Sequence, residues 1–477
     1  MAAMRPGVLK TSSSGGLRHW LQERRRRSAT CFLPDDTAAV SLTLQSYYHR
    51  NMVLGPQQRP VFSHSSTQFE ETGNTGTAQQ VVAALAELRP VHEAFAWFRS
   101  NARRFEEWQL EVTAIPAPPW GEGPRSSWLR GKFEELGLTG VQQDELGNVF
   151  GIRPGADPTV PYVAVSAHLD TVFPACTEIS VRREGDRLYG PGISDNGSGL
   201  TALLALAAVL GETRFEHRAP ILFIGNVGEE GEGDLRGMRH IFEQQRWFES
   251  IGAMVVLDGA GTDTIIAEGL GSMRYEVTFR GAGGHSWSDF GIPNPVVALA
   301  HVIARFSQTS VPANPKTTFN IGTIQGGTSV NSIPQSATMR VDTRSASVEQ
   351  LDRLERALRE AVKESLIEAN GRKRHEALTA DVRVIGNRPA ADLPGDSRLL
   401  KMVRTVDAHL NNNSRIQRAS TDANIPLSLG REAIAIGAGG SGGGAHTVNE
   451  WYDPAGRDLG LKRILLLVLA LTGVGEE

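Results

Sequence analysis

Four short apolar runs, far apart in the chain, each lead directly into a histidine, a carboxylate or a stretch of glycine. Tyr162 to Ala167 leads to His168, Ile221 to Asn226 leads to Glu229 and Glu230, Ala253 to Leu257 leads to Asp258, and Ala433 to Ile436 leads to Gly437 to Gly444. Runs this short and this apolar are the pattern of strands buried on both faces of a sheet. Helical patterns separate them: a helical region from about Val81 to Glu111, a helix over Ser126 to Leu136 and an apolar helix over Leu200 to Leu210, with a further strand at Asn148 to Arg153. The alternation predicts an α/β sheet with helices on both faces. Open α/β sheets bind ligands beyond the carboxyl ends of their strands, which is where these polar residues fall.

Between about Leu270 and Pro389 the rhythm changes. Met273 to Arg280 alternates as a strand, Pro295 to Phe306 reads as an amphipathic helix, and Thr318 to Ile324 and Ala337 to Thr343 read as two more strands. A second helix starts at Ser347, where Gln350 completes a capping-box pattern, and Val382 to Ile385 supplies the last strand. The order β-α-β-β-α-β is that of a ferredoxin-like unit. The expected division is a basic leader over 1–84, one domain in two parts over 85–269 and 390–477, and an inserted domain over 270–389.

Before Pro34 there are seven Lys or Arg and a single acid, Glu23, so the leader reads as disordered, with an organellar transit segment as the alternative to a cytoplasmic location. The whole chain carries a net charge of −4, which supplies no basic field for nucleic acid or anionic lipid. The longest apolar run, Ile464 to Leu471, is well short of the roughly 20 residues that cross a bilayer. With only two cysteines there is neither a disulfide framework nor a site built on several thiolates, so any metal must be held by histidines and carboxylates.

Taken singly, each polar cluster has an ordinary reading beside a chemical one. His168 and Asp170 face the same side of a strand, so one can ligate a metal while the other fixes the imidazole, yet a core histidine fits as well. Asp195, in the glycine-rich Gly190 to Gly199, precedes an apolar helix, where a carboxylate commonly caps. The adjacent Glu229 and Glu230 point in different directions, which lets one ligate and the other move protons, although a solvated acidic turn is the plain alternative. The glycines from Gly437 lack the Gly-Lys-Ser or Gly-Lys-Thr of a P-loop and run into His446, either as a linker or as backbone that closely approaches a ligand. As a set, two histidines and three carboxylates at strand ends suffice to hold two zinc ions about 3.5 to 4 Å apart if one carboxylate bridges them, which leaves one further carboxylate for proton transfer.

The ordered set resembles the co-catalytic zinc hydrolases of clan MH, which include peptidase T, carnosinase-like dipeptidases, glutamate carboxypeptidase, aminoacylase, acetylornithine deacetylase and succinyl-diaminopimelate desuccinylase. The resemblance runs from about Leu85 to Gly473. It implies a mixed-sheet α/β/α zinc exopeptidase domain with an inserted ferredoxin-like lid. It further implies that His168 and Asp258 hold one zinc, Glu230 and His446 the other, and Asp195 bridges them, with a cis bond between Asp195 and Asn196. Asp170 would orient His168 and Glu229 would be the general base; cobalt or manganese suits the same ligands. In the lid, Gly281 to Ser286 is similar to a motif whose histidine, here His285, reaches the active site of the partner subunit and helps hold the oxyanion. Asn331 resembles a substrate-binding asparagine. Arg344 matches an arginine that grips a substrate carboxylate, with a plain surface arginine as the alternative.

The implied partners are a short peptide, cleaved by an exopeptidase, and a second copy of the chain joined through the lid edges. An N-acyl amino acid amidohydrolase would use the same residues, and a non-catalytic binding protein that keeps the fold is a third reading. Trp287 and the loop Ser288 to Ile292 either shape the substrate pocket or pack the lid.

Overall fold

The computed structural model describes residues 77–213, 215–371 and 376–474. Most of the expected leader, with its basic stretch before Pro34, lies outside the described residues. The boundary expected at 84 needs correction, because the helix Ala78–Glu87 runs across it. Thr77 and Gln80 form a reciprocal capping box at its start, and Val82 and Leu85 enter the main core. Its start signal is therefore polar and lies upstream of the first apolar residue, which is why the apolar pattern alone placed the beginning too late.

The large sheet has nine strands. From one edge the order is Thr139–Gln143, Val149–Arg153, Ile221–Asn226, Tyr162–His168, Ile251–Leu257, Glu432–Ile436, Thr264–Gly269 and Ala391–Asp392, with Arg415–Ala419 also paired to Thr264–Gly269. The four middle strands run parallel, so their carboxyl ends share one edge; the flanking pairs include antiparallel ones. All six residues of Ile221–Asn226 are buried, and because alternate residues face opposite sides, both faces of the sheet are covered. The helices Gly197–Glu212 and Arg457–Thr472 are apolar around almost their whole circumference and pack into this core, which is the signature of a fully buried helix. The apolar run Ile464 to Leu471 is spent there, and no helix among the described residues is long and apolar enough to cross a membrane.

The inserted segment forms a separate antiparallel sheet in the order Thr317–Gly326, Ser336–Ser345, Gly271–Arg280, Thr379–Arg388. The helices Pro295–Phe306 and Val348–Asn370 cover one face, where Tyr275, Val277, Phe279, Met339 and Val341 meet Leu299, Val302, Leu354 and Leu358. The other face is polar and carries Arg274, Glu276, Arg340 and Asp342. These strands run longer than the apolar alternation suggests, since their ends are polar. Ser347 caps the second helix through the N–H of Gln350, but the Gln350 side chain accepts from Arg353 instead of closing the box. A small sheet of Ser441–Gly443, Trp451–Asp453, Arg187–Tyr189 and Arg182–Glu184 had no apolar signature; it brings the late glycine stretch beside the Asp195 loop.

Candidate metal centre

His168 ends the central strand with its ring buried. Its Nδ1 lies 3.1 Å from the Asp170 carbonyl oxygen and 3.6 Å from Asp170 Oδ1, while its Nε2 lies 3.1 Å from Asp195 Oδ1 and 3.8 Å from Asp258 Oδ1. His446 Nε2 sits 3.3 Å from Asp195 Oδ2 and 3.3 Å from Glu230 Oε1. Asp195 therefore presents one oxygen to each histidine. Three overlapping sets of donor atoms each gather within 4.8 Å: His168, Asp195 and Asp258; His168, Glu229 and Glu230; Asp195, Glu230 and His446.

Hydrogen bonds from Asn196 and to Asp170 hold the loops that carry these carboxylates. The N-cap role falls to Asn196, whose side chain accepts the Gly199 N–H and whose Nδ2 donates to the Leu257 carbonyl at 2.8 Å, so Asp195 is left to face the cluster. The Asp195–Asn196 peptide bond is cis. Asp170, fully buried, accepts the N–H groups of Glu229 at 2.9 Å and Glu230 at 2.7 Å as well as facing His168. The chain turns into these two glutamates at Gly228, which has φ 68° and where a Cβ would lie 1.7 Å from Arg236 Nη1, so only glycine fits.

Three functional-looking groups escaped sequence reasoning. Glu450 is fully buried and accepts the N–H groups of Gly192, Ser194 and Asp195 at 3.0, 2.8 and 2.8 Å. Arg388 ends the last lid strand and reaches Glu229 Oε1 at 3.1 Å. Asp422 is buried with Asn226 Nδ2 donating to it at 2.6 Å. The only sequence hint of Glu450 was its place four residues after His446, in the same glycine-led segment.

Burial dominates the electrostatics. It pushes the Glu229 carboxyl up to about 7, against the pull of Arg388 and His168. Burial, with Glu229 and Asp195 nearby, takes Glu230 to about 8. Burial and the neighbouring Glu229 lift Asp422 well above the usual carboxylate range. Burial also opposes ionisation of Asp195, but hydrogen bonds from His168 and His446 outweigh it and hold that carboxyl below its ordinary value. His168 is raised well above a free imidazole despite its burial, by Asp170, Asp195 and Asp258; His446 is raised to about 9, chiefly by its hydrogen bond to Asp195. The cluster thus has more negative charge than its own protein cations balance, and it keeps protons that a divalent cation would displace. Nitrogen and oxygen donors, no thiolate, and a carboxylate with divergent oxygens fit two borderline or hard cations.

The lid residues stand apart from the cluster. His285 is exposed, and its Nδ1 accepts the N–H groups of Trp287 and Ser288 at 3.2 and 3.4 Å. Asn331 accepts from Ser329 Oγ at 2.6 Å, and Arg344 Nε lies 2.8 Å from Asp342 Oδ2. None of these contacts touches the metal cluster within the chain. Trp287 and Phe290 are 87% and 86% exposed, so neither packs the lid. A cavity of about 580 Å³ opens beside Asp195 and Asp258, lined further by Gly259 to Asp263 and Gly440 to Gly443.

A histidine–carboxylate cluster with the donors to hold metal thus lies at the carboxyl edge of a mixed sheet, with a second four-stranded sheet inserted in the same chain. The chain belongs to peptidase family M20/M25/M40, whose model matches residues 164–470, and it is accordingly an enzyme that hydrolyses peptide or amide bonds. Three solved structures share its fold. The aminopeptidase PepT of Bacillus cereus is 19% identical with a TM-score of 0.63, over 78% of this chain and 99% of that one. The YXEP protein of Bacillus subtilis, a dinuclear metal-binding peptidase of the M20 family, is 16% identical with a TM-score of 0.58, over 78% and 99%. An amidase of the hydantoinase/carbamoylase family from Burkholderia vietnamiensis is 17% identical with a TM-score of 0.59, over 78% and 97%. At such identities the likeness is one of fold.

Proposed function

We propose that the protein is a dinuclear zinc exopeptidase acting on dipeptides and tripeptides. The observation that carries this reading is Asp195, whose two oxygens face two separate histidines while the buried Glu229 belongs to neither pair. His168 and Asp258 would hold one zinc, Glu230 and His446 the other, with Asp195 shared; cobalt or manganese suits the same donors. When bound, the metals supply Lewis acidity to the amide carbonyl and to the attacking water.

The remaining work belongs to the chain. Glu229, poised near neutrality by burial, takes a proton from the attacking water and delivers it to the leaving amine. Asp170 fixes the His168 ring and, through two backbone N–H groups, the direction of Glu229 and Glu230. Arg344 offers a planar fork to the substrate carboxylate and Asn331 a further polar contact. His285, remote from its own cluster, serves the oxyanion of a second copy. A homodimer through the lids is supported by the outer strand Thr317–Gly326, which has one unpaired edge, and by the exposure of Ile324 and Val330 nearby in sequence.

A screen of the metal-loaded enzyme against dipeptides, tripeptides and N-acyl amino acids tests the reading. Faster turnover of peptides is expected. Faster turnover of N-acyl or N-carbamoyl amino acids would transfer the assignment to an amidohydrolase, the second reading, which the fold likeness to the carbamoylase-family amidase supports. Turnover of none of these compounds would overturn the peptide assignment and place the substrate in another class of amide. Dilution below the dimer dissociation constant should abolish activity if His285 acts across subunits.

A further inference from the structure

The loop that carries Glu229 and Glu230 is gripped from the lid side as well as from beneath. Arg340 Nη1 lies 2.9 Å from Glu232 Oε1, and Arg274 Nη1 donates to the Gly231 carbonyl. Asp234 accepts the backbone N–H of Asn387 through both carboxylate oxygens at 2.9 Å. One residue further on, Arg388 closes the last lid strand and is itself buried. Its Nη1 lies 3.1 Å from Glu229 Oε1 and 3.3 Å from Ser420 Oγ, and its Nη2 donates to the Glu229 backbone carbonyl.

We infer that Arg388 is a positioning residue: one planar guanidinium binds both the carboxylate and the main-chain carbonyl of Glu229, and so fixes the base relative to its own backbone and to the lid. This rests on Glu229 being the base. A glutamate side chain has three rotatable bonds, and a carboxylate fixed at only one point can turn away from the reacting water. Two donors set rigidly in one plane remove that freedom, which the single ammonium of a lysine cannot do. Asp170 holds the N–H groups of Glu229 and Glu230 from the sheet side, so the base is pinned between the two sheets. Since Arg388 is the last residue of a lid strand, any rotation of the lid about that point carries the guanidinium with it.

The test compares R388A, R388K and E229Q in the full-length, metal-loaded protein, measuring metal content, kcat and KM together. For R388A the expected result is two metals retained, KM within about threefold of the parent, and kcat down on the order of a hundredfold, the effect of misplacing a reacting group. R388K should fall between, and millimolar guanidinium should restore part of the kcat of R388A and none of that of E229Q. A parental kcat in R388A beside an inactive E229Q would overturn the role of Arg388 and leave Glu229 as the base. A loss in R388A expressed only as raised KM or lost metal would overturn it also, in favour of substrate binding or simple structure. An active E229Q would instead remove the base assignment itself. If R388A does not fold, R388K decides by the same split: lowered kcat with KM and metal content unchanged supports the role, and parental kcat overturns it.

Discussion

At the carboxyl edge of the large sheet, Asp170, Asp195, Glu229, Glu230 and Asp258 crowd around two histidines, and backbone N–H groups fix both oxygens of Asp170. The open face of the lid sheet is just as rich in charge, yet its groups form discrete pairs, Arg340 with Glu276 and Glu232, and Arg274 and Arg344 with Asp342. The first set is largely buried, and ionisation of Asp170, Asp195, Glu229 and Glu230 is displaced from ordinary values; the second is partly open to solvent, where pairs contribute little. Charge density alone therefore does not make a reactive centre. What distinguishes the sheet edge is desolvation combined with main-chain hydrogen bonds to Asp170 and Glu450 that fix the loops from which the other carboxylates project.

The sharpest way to break this contrast is at Glu229. Replacement by alanine should leave both metals bound and lower kcat by roughly 10²- to 10⁴-fold, the span of a lost general base; retained turnover would contradict the role. Next comes Glu450, buried and without contact to any proposed substrate atom. E450A leaves three N–H groups of the Asp195 loop without their acceptor, and metal affinity, measured by competition with a chelator, should weaken about 10- to 100-fold. Unchanged affinity would mean that the loop holds its shape unaided.

Acidity supplies an intermediate effect. In the metal-free cluster Glu230 holds a proton below about 8 and His446 below about 9, and a cation must displace both. Apparent affinity should thus rise with pH toward about 9, on the order of tenfold per unit for each proton displaced, with proton release visible by calorimetry in buffers of different ionisation enthalpy. Binding without proton release would show that the cluster is already deprotonated. On the lid face, R344A is expected to raise KM for substrates with a free carboxylate by about tenfold at constant kcat, the mark of lost uniform binding. The smallest effect should be R340A, whose half-exposed pairs predict a stability change under about 1 kcal/mol in chemical denaturation.

The same contrast explains what the chain discloses to a reader of its sequence. The middle strands are buried on both faces, so they are written as uninterrupted apolar runs, and the residues at their ends stand out against them. Lid strands were legible only where apolar residues alternate; their polar ends, such as Thr379 to Asp381, carry no such mark. Glu450 was missed because its acceptors' partners lie 255 or more residues away, and no local pattern encodes a hydrogen bond of that span. Arg388 was missed for a similar reason, since an arginine before a proline at a strand end looks like a solvated linker charge until its 159-residue partner is seen. Asp195 was readable as a helix cap, and the structure gives that task to its neighbour Asn196.

The strand Glu432–Ile436 slots between Ile251–Leu257 and Thr264–Gly269, which were laid down long before it, with the whole lid in between. On a ribosome, therefore, the sheet stands with a gap until the final stretch of chain emerges, and His446 and Glu450 arrive only after the lid has been synthesised. An unfinished chain has neither the second histidine nor the brace for the Asp195 loop. The order of synthesis therefore completes the candidate site only after the inserted domain has been made.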